Sequence, residues 1–190
     1  MTSMEEAITA YLREIDRSFY METSKEQAHV DAAAPIGFGQ TISQPSLVRK
    51  MTIELAPGPG MRVLEIGTGS GFQTALLAAF CEEVYTVERI APLHEKAKQR
   101  LKTTGFSNIK YKLGNGSEGW EEYAPFDRIL VTAAAASVPK ALLQQLKPGG
   151  RMVIPVGSSF SQDLLLLEKE TDGSVKETFL CAVMFVKLYE

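Results

Sequence analysis

Apolar residues recur along this chain in two rhythms. Near the start, Ile8, Tyr11, Leu12 and Ile15 return at three- and four-residue spacing, which predicts an amphipathic helix over residues 4–15. The stretch 17–34 is mixed and alanine-rich and has no clear period. Helical spacing resumes with Leu47, Val48, Met51 and Leu55, and Pro45 suits the first turn of that helix. From residue 63 onward the pattern becomes short apolar runs separated by helical stretches. Val63–Ile66, Val84–Val87, Ile109–Leu113, Phe126–Val131 and Arg151–Val156 read as strands. Residues 73–80, 92–104 and 138–146 read as helices between them, and Lys147-Pro-Gly-Gly150 as a stop and turn. Two last apolar runs, Leu164–Lys169 and Cys181–Leu188, flank Thr171-Asp-Gly-Ser174 and read as a closing antiparallel hairpin. Strands alternating with helices, then a hairpin, imply an α/β fold: a doubly wound, mostly parallel sheet with one reversed strand. The chain reads as one domain over 1–190, with N-terminal helices and a loop over 1–60 and the sheet over 61–190.

One connection carries more chemistry than the others. Val63-Leu-Glu-Ile-Gly-Thr-Gly-Ser-Gly-Phe-Gln73 runs from strand through a glycine turn into a helix. Such a turn presents unobstructed backbone N–H groups to a ligand. A dinucleotide fingerprint needs a small residue three positions after its second glycine; here Phe72 stands there, and the glycines fall at 67, 69 and 71. Glu65 sets a carboxylate before the turn, where it repels phosphate and suits a cation. Glu88 ends the next apolar run about 20 residues further on, the place of a ribose-binding acid. Two carboxylates and a glycine loop fit a nucleoside with a positive charge and no phosphate. S-adenosylmethionine is that molecule. The alternative, a plain glycine turn, does not account for the second acid.

Composition narrows the picture further. The chain has 190 residues and 45% apolar content, enough for a full globular core. Its net charge of −3 offers no broad basic surface, so no stable nucleic-acid partner is expected. Cys81 and Cys181 stand far apart, with no CxxC and no histidine cluster, so neither a metal site nor a disulfide framework is indicated. No secretory signal and no apolar run near 18 residues is found, so the expectation is a cytoplasmic protein without a membrane segment. No long heptad appears, and a monomer is expected. The stretch Ala34-Pro-Ile-Gly-Phe-Gly-Gln-Thr-Ile-Ser-Gln-Pro45 is dense in Gly, Pro and small polar residues and reads as an ordered loop rather than a strand. Gln40, Thr41, Ser43 and Gln44 give it more hydrogen-bonding capacity than a connector needs, although a helix N-cap alone would also use some of it.

That loop, followed by the glycine turn, resembles the protein-L-isoaspartate O-methyltransferase family. The resemblance continues through Val87-Glu-Arg-Ile90, Gly114-Asn-Gly116, Ala124-Pro-Phe-Asp127, Val131-Thr-Ala-Ala-Ala135 and Gly149-Gly-Arg-Met-Val-Ile-Pro-Val-Gly157. The glycine turn is generic to methyltransferases; the 35–45 loop is the specific part. The resemblance implies that Ser43 is the active-site hydroxyl, with Gln40, Thr41, Thr132 and Ala133 on the substrate side. It implies that Gly67, Thr68, Gly69 and Gly71 hold the methionine and ribose portions of S-adenosylmethionine, that Glu88 holds the ribose hydroxyls, and that Glu65 orients the amino group directly or through water. Asn115 and Gly116 would lie at the adenine end. Asn115 replaces the family's usual acid there and keeps a carbonyl that can accept from the adenine amino group.

The implied reaction is methyl transfer to the free carboxylate of isoaspartyl residues in damaged proteins and peptides. That carboxylate is ionised at neutral pH and needs alignment rather than a strong base. His29 and His94 are the only histidines, and neither falls in a loop assigned to the site. With no Ser–His pair, Ser43 is a hydrogen-bond donor and not a nucleophile. Two other readings remain open. The departures at Asn115, at Ala136 (usually proline) and at His29-Val-Asp31 are compatible with a methyltransferase of the same class acting on a small molecule or RNA. A non-catalytic binding platform would have no reason to keep the glycine turn with both acids.

Overall fold

The computed structural model describes residues 3–189. Helix α1 (Met4–Glu14) starts from a capping box, in which Glu6 N–H donates to the Ser3 hydroxyl and Ser3 N–H to the Glu6 carboxylate. The aperiodic stretch after it forms two short 3-10 turns, Arg17–Tyr20 and Lys25–Gln27. Next come β1 (Ala34–Gly37) and β2 (Gln40–Ile42), a small antiparallel hairpin where the sequence reads as a loop. The glycines there mark the turn and not the lack of a strand: Gly37, Phe38 and Gly39 take φ of 90°, 55° and 70°. Helix α2 (Pro45–Leu55) follows, with Pro45 in its first turn.

The main sheet is built from β3 (Arg62–Ile66), β4 (Glu83–Glu88), β5 (Ile109–Leu113), β6 (Phe126–Val131), β7 (Leu146–Gly157), β8 (Gln162–Lys169) and β9 (Val175–Val183). Helices α3 (Phe72–Ala78), α4 (Ala91–Lys102) and α5 (Lys140–Gln145) connect the parallel strands. The order is β5-β4-β3-β6-β7-β8-β9, with β3 to β7 parallel and β8 antiparallel to both its neighbours. The expected turn at Lys147–Gly150 is instead a bulge inside β7, opposite a register shift between Phe126 and Arg128. The last strand lies at 175–183 and not at 181–188. Its first half is polar and exposed, and pairs Lys176, Glu177 and Thr178 with Glu168, Leu167 and Leu166. Residues 186–188 fold back instead onto Ala134, whose N–H donates to the Val186 carbonyl and whose carbonyl accepts from Leu188 N–H, each at 2.8 Å.

Strand side chains alternate between the two faces of the sheet, and each face has its own core. Leu64, Ile66, Val87, Ile129 and Val131 pack with Leu142 of α5. Val63, Val84, Leu130 and Val153 pack with Met51 and Leu55 of α2 and Leu77 of α3. No helix among the described residues is long and apolar enough to cross a membrane. Because β3 has β4 on one side and β6 on the other, its connections leave in opposite directions and open a crevice at the strands' carboxyl ends.

Ile129 is completely buried in the central strand β6. Ile129→Ala is expected to destabilise the fold by about 2–5 kcal/mol, read as a lower urea midpoint at unchanged slope. A midpoint equal to that of the parent chain would contradict this account of the core.

Candidate active site

The crevice is a cleft walled by pieces of chain that are remote in sequence. The end of the β1–β2 hairpin contributes Gln40, Thr41 and Ser43, and the glycine turn contributes Gly67, Thr68 and Gly69. Glu88 and Arg89 lie beyond β4, Gly116 beyond β5, and Thr132 and Ala133 beyond β6, with the chain from Val186 to Tyr189 closing one side.

Backbone hydrogen bonds hold the turn open. Gly67 N–H donates to the Val87 carbonyl at 2.8 Å. The Thr132 hydroxyl lies within donating distance of both the Ile66 and Gly67 carbonyls, at 2.9 and 2.8 Å. A Cβ on Gly67 would come within 2.3 Å of that hydroxyl oxygen, and its φ is +95°, so only glycine fits. Gly116 is equally constrained, since a Cβ there would lie 2.4 Å from Ile66 Cγ2. Glu88 is 6% exposed, and its two carboxylate oxygens accept from Gly69 N–H and Ile90 N–H, each at 2.9 Å. Each oxygen retains a further lone pair for a ligand hydroxyl. A side-chain-free cradle beside an immobilised carboxylate fits a nucleoside diol.

Comparison with known proteins decides which nucleoside chemistry this is. A model of the family "Protein-L-isoaspartate(D-aspartate) O-methyltransferase" matches residues 2–190. Over 188 residues the chain is 46% identical to a protein-L-isoaspartate O-methyltransferase of Polaromonas sp., covering 98% of this chain and 89% of that one. This chain belongs to that family. It is also 52% identical over 171 residues to a family member from Ectopseudomonas mendocina, covering 90% of this chain and 81% of the other. Among solved structures, a putative family member from Plasmodium falciparum in complex with S-adenosyl-L-homocysteine superposes with a TM-score of 0.84. That match covers all of this chain and 92% of the other at 24% identity, and so supports the fold. For a protein-L-isoaspartate O-methyltransferase, the donor is S-adenosylmethionine and the acceptor a protein carboxyl group.

Three residues expected at the ligand stand off the cleft wall of this methyltransferase. Glu65 is the main correction. Alternation along β3 sends Leu64 and Ile66 to one face and Glu65 to the other, where it is fully buried against α3. Its Oε2 accepts from the Thr74 and Thr86 hydroxyls, both at 2.6 Å, while Oε1 has no partner among the described residues. Thr86 spends its proton on Glu65, so Thr68 is the donor in the 2.6 Å Thr68–Thr86 contact. Glu65 thus reaches the turn only through two threonines. Gly71 starts α3 and packs on α4: a Cβ there would press on Leu101 Cδ1 at 3.0 Å. Asn115 uses its carbonyl on Ser117 N–H and hydroxyl, both at 3.0 Å, and its amide on Glu118, capping the turn Gly116–Glu118.

Sequence reading missed two supports. Arg17 is 6% exposed and donates to the carbonyls of Ala28, Val30, Ala32 and Ser43 at 2.8–3.3 Å, so one cation fixes both the approach to the hairpin and the backbone of Ser43. Beside it, Asp31 accepts from Ser46 N–H and the Gln44 amide, which hold its carboxyl below the usual range. The second is the terminal segment, where the Arg89 guanidinium stacks 3.8 Å over the Tyr189 ring. Carbonyl acceptors leave no signature in a sequence, and an aromatic near a terminus signals nothing by itself.

Burial pushes the Glu65 carboxyl up from 4.5 to about 7, only partly offset by its two hydroxyl donors. The folded chain therefore holds a proton that the unfolded chain has released between pH 4.5 and about 7, and stability falls as pH rises through that window. Glu65→Gln keeps an acceptor for Thr74 and Thr86 and cannot ionise. Its stability relative to the parent chain should rise between pH 4.5 and 8 by on the order of 3 kcal/mol, measured by urea unfolding at both pH values. A pH-independent difference would rule out the buried ionisation.

Proposed function

We propose that this family member aligns an isoaspartyl carboxylate through Ser43 while the glycine turn and Glu88 hold S-adenosylmethionine. The observation that carries this assignment is the meeting of Ser43, Glu88, Gly67 and Thr132 in one cleft, from four remote segments. The Ser43 side chain lines the cleft, and its hydroxyl makes no hydrogen bond among the described residues, so its proton is free for an acceptor. Its backbone is pinned, because Arg17 takes the Ser43 carbonyl at 3.2 Å. Thr41 lines the same wall.

When bound, S-adenosylmethionine supplies an electrophilic methyl group on a sulfonium. The acceptor carboxylate is already ionised at neutral pH, so the protein has to orient it and exclude water rather than remove a proton. The distribution of bases agrees with that division of labour. His29 is exposed outside the cleft, and His94 is buried on α4 against Tyr111. Glu88 would take the ribose hydroxyls with its remaining lone pairs, and Gly116, packed closely on Ile66, would border the base. Thr132 and Ala133 face the same space and would border the acceptor. The three departures that favoured a small-molecule or RNA acceptor bear little on it, since neither Asn115, nor Ala136, nor any of His29-Val-Asp31 lines the cleft.

Transfer of labelled methyl to a short isoaspartyl peptide, with the aspartyl peptide as control, tests the reading. Transfer to the isoaspartyl peptide alone is expected, and Ser43→Ala should lower kcat/KM roughly 10- to 100-fold, as for loss of a hydrogen bond to a charged group. Equal activity of Ser43→Ala and the parent chain would remove Ser43 from the mechanism. In a separate calorimetric titration, Glu88→Ala should weaken S-adenosylhomocysteine binding roughly 10- to 100-fold, and unchanged affinity would exclude the ribose assignment.

A further inference from the structure

Thr68 lines the cofactor cleft, and behind it runs a chain of buried oxygens. Thr68 is 3% exposed, and its hydroxyl lies 2.6 Å from that of Thr86, which lies 2.6 Å from Glu65 Oε2. Thr74 reaches the same carboxyl oxygen at 2.6 Å, while Glu65 Oε1 has no partner among the described residues. Each hydroxyl has one proton to give. The direction of the whole chain is therefore set at its inner end, by whether Glu65 carries a proton.

With Glu65 ionised, Thr74 and Thr86 both donate to Oε2 and Thr68 donates to Thr86, so Thr68 offers the cleft lone pairs alone. With Glu65 protonated, the proton belongs on Oε2, because on Oε1 it would be a buried donor without an acceptor. From Oε2 it goes to Thr86 and not to Thr74. Thr86 can pass its own proton on to Thr68, whereas Thr74 has no second acceptor among the described residues. Thr68 then accepts from Thr86, and its own proton is left for the cleft. One proton on Glu65 converts Thr68 from an acceptor into a donor.

We propose that Glu65 is a positioning residue for the cofactor, acting through Thr86 and Thr68, and that the cofactor binds with release of the Glu65 proton; this rests on the assignment of the glycine turn to S-adenosylmethionine. The cofactor brings a sulfonium and an ammonium, and positive charge favours an ionised carboxyl behind the turn. The ammonium donates and cannot accept, which suits a Thr68 that only accepts. Burial brings the carboxyl to about 7, so the proton is present to be lost near neutral pH. Among the titratable groups around it, Glu88 at the end of β4 adds to that shift. Cys81 beyond α3 and Tyr111 of β5 are each pushed up by burial to about 12 and stay neutral. His94 of α4 stands beyond Tyr111, with the ring centroids 6.3 Å apart. None of these four belongs to the hydroxyl chain.

The test is calorimetric titration of the full chain with S-adenosylhomocysteine between about pH 5.5 and 8, each point in two buffers of different ionisation enthalpy. This ligand keeps the ammonium and has no methyl group to transfer. Affinity should rise ~5- to 10-fold across that range, as for one hydrogen bond to a charged group. The buffer dependence should report release of about half a proton per binding event near pH 6.5. Glu65→Gln and Thr86→Val should each bind with neither pH dependence nor proton release; Thr86→Val keeps the acid and cuts only its link to Thr68. The parent chain alone decides the sign, so a variant that fails to fold does not shelter the proposal. Parent affinity that is flat or falls as pH rises overturns it. Release that persists in either variant also overturns it and assigns the titration to Glu88 or His94. Failure of S-adenosylhomocysteine to bind at any pH removes the cofactor assignment of the turn, and the proposal with it.

Discussion

At the carboxyl end of β3 the backbone has to leave the sheet, and the contacts that allow it to do so also create the cleft. Gly67 is the last residue to touch both neighbouring strands: its N–H is on the Val87 carbonyl, and its own carbonyl is on the Thr132 hydroxyl. Any side chain at Gly67 would displace Thr132, and Thr132 also holds Ile66. Three strands therefore converge on one position without a side chain. The cofactor cradle, the Glu88 carboxylate and the acceptor side of the cleft are placed relative to one another by that convergence. The β1–β2 hairpin is attached independently, through Arg17, which lets the acceptor-side hydroxyl be set by a different part of the chain.

Behind this junction lies an unusual electrostatic choice. A carboxylate buried with one oxygen unpartnered among the described residues disfavours its own charged form, and Glu88 nearby adds to that penalty. The hydroxyls of Thr74, Thr86 and Thr68 link the acid to the glycine turn, so the hydrogen-bond pattern under the cradle depends on which protonation state Glu65 holds. An apolar residue at this position would avoid the cost but leave two buried hydroxyls to find other acceptors.

How much of this is legible in the sequence follows from which interactions shape the pattern. Strands β3, β4 and β6 are covered on both faces and appear as apolar runs within a residue of their bounds. β9, at the edge with one half exposed, has no such run, and its start is hidden among charged residues. The β1–β2 hairpin is concealed by the glycines its own turn requires. In the site, Glu88 and the glycine turn are readable because strand length and loop geometry fix their spacing. The direction of Glu65 was also available, since its parity is opposite to that of Ile66, the residue that ends β3 at the cleft; type and position in the motif pointed the other way. Arg17 and the return of residues 186–188 onto Ala134 are not readable, because both bond to backbone carbonyls and amides that every residue carries.

The edge of β9 carries a constraint of another kind. Exposed sheet edges invite pairing with other chains, and charge on the edge is one common defence. Here the defence is unevenly spread. Lys176 and Glu177 lie at the start of β9, with Lys176 beside Glu168 at 3.7 Å. From Phe179 to Phe185 there is no charged residue at all. That uncharged half is the one that borders a groove leading along α2 to Ser43. Charge therefore guards β9 where it is polar and exposed, while its second half relies on packing beside α2, the element that forms the groove's other wall.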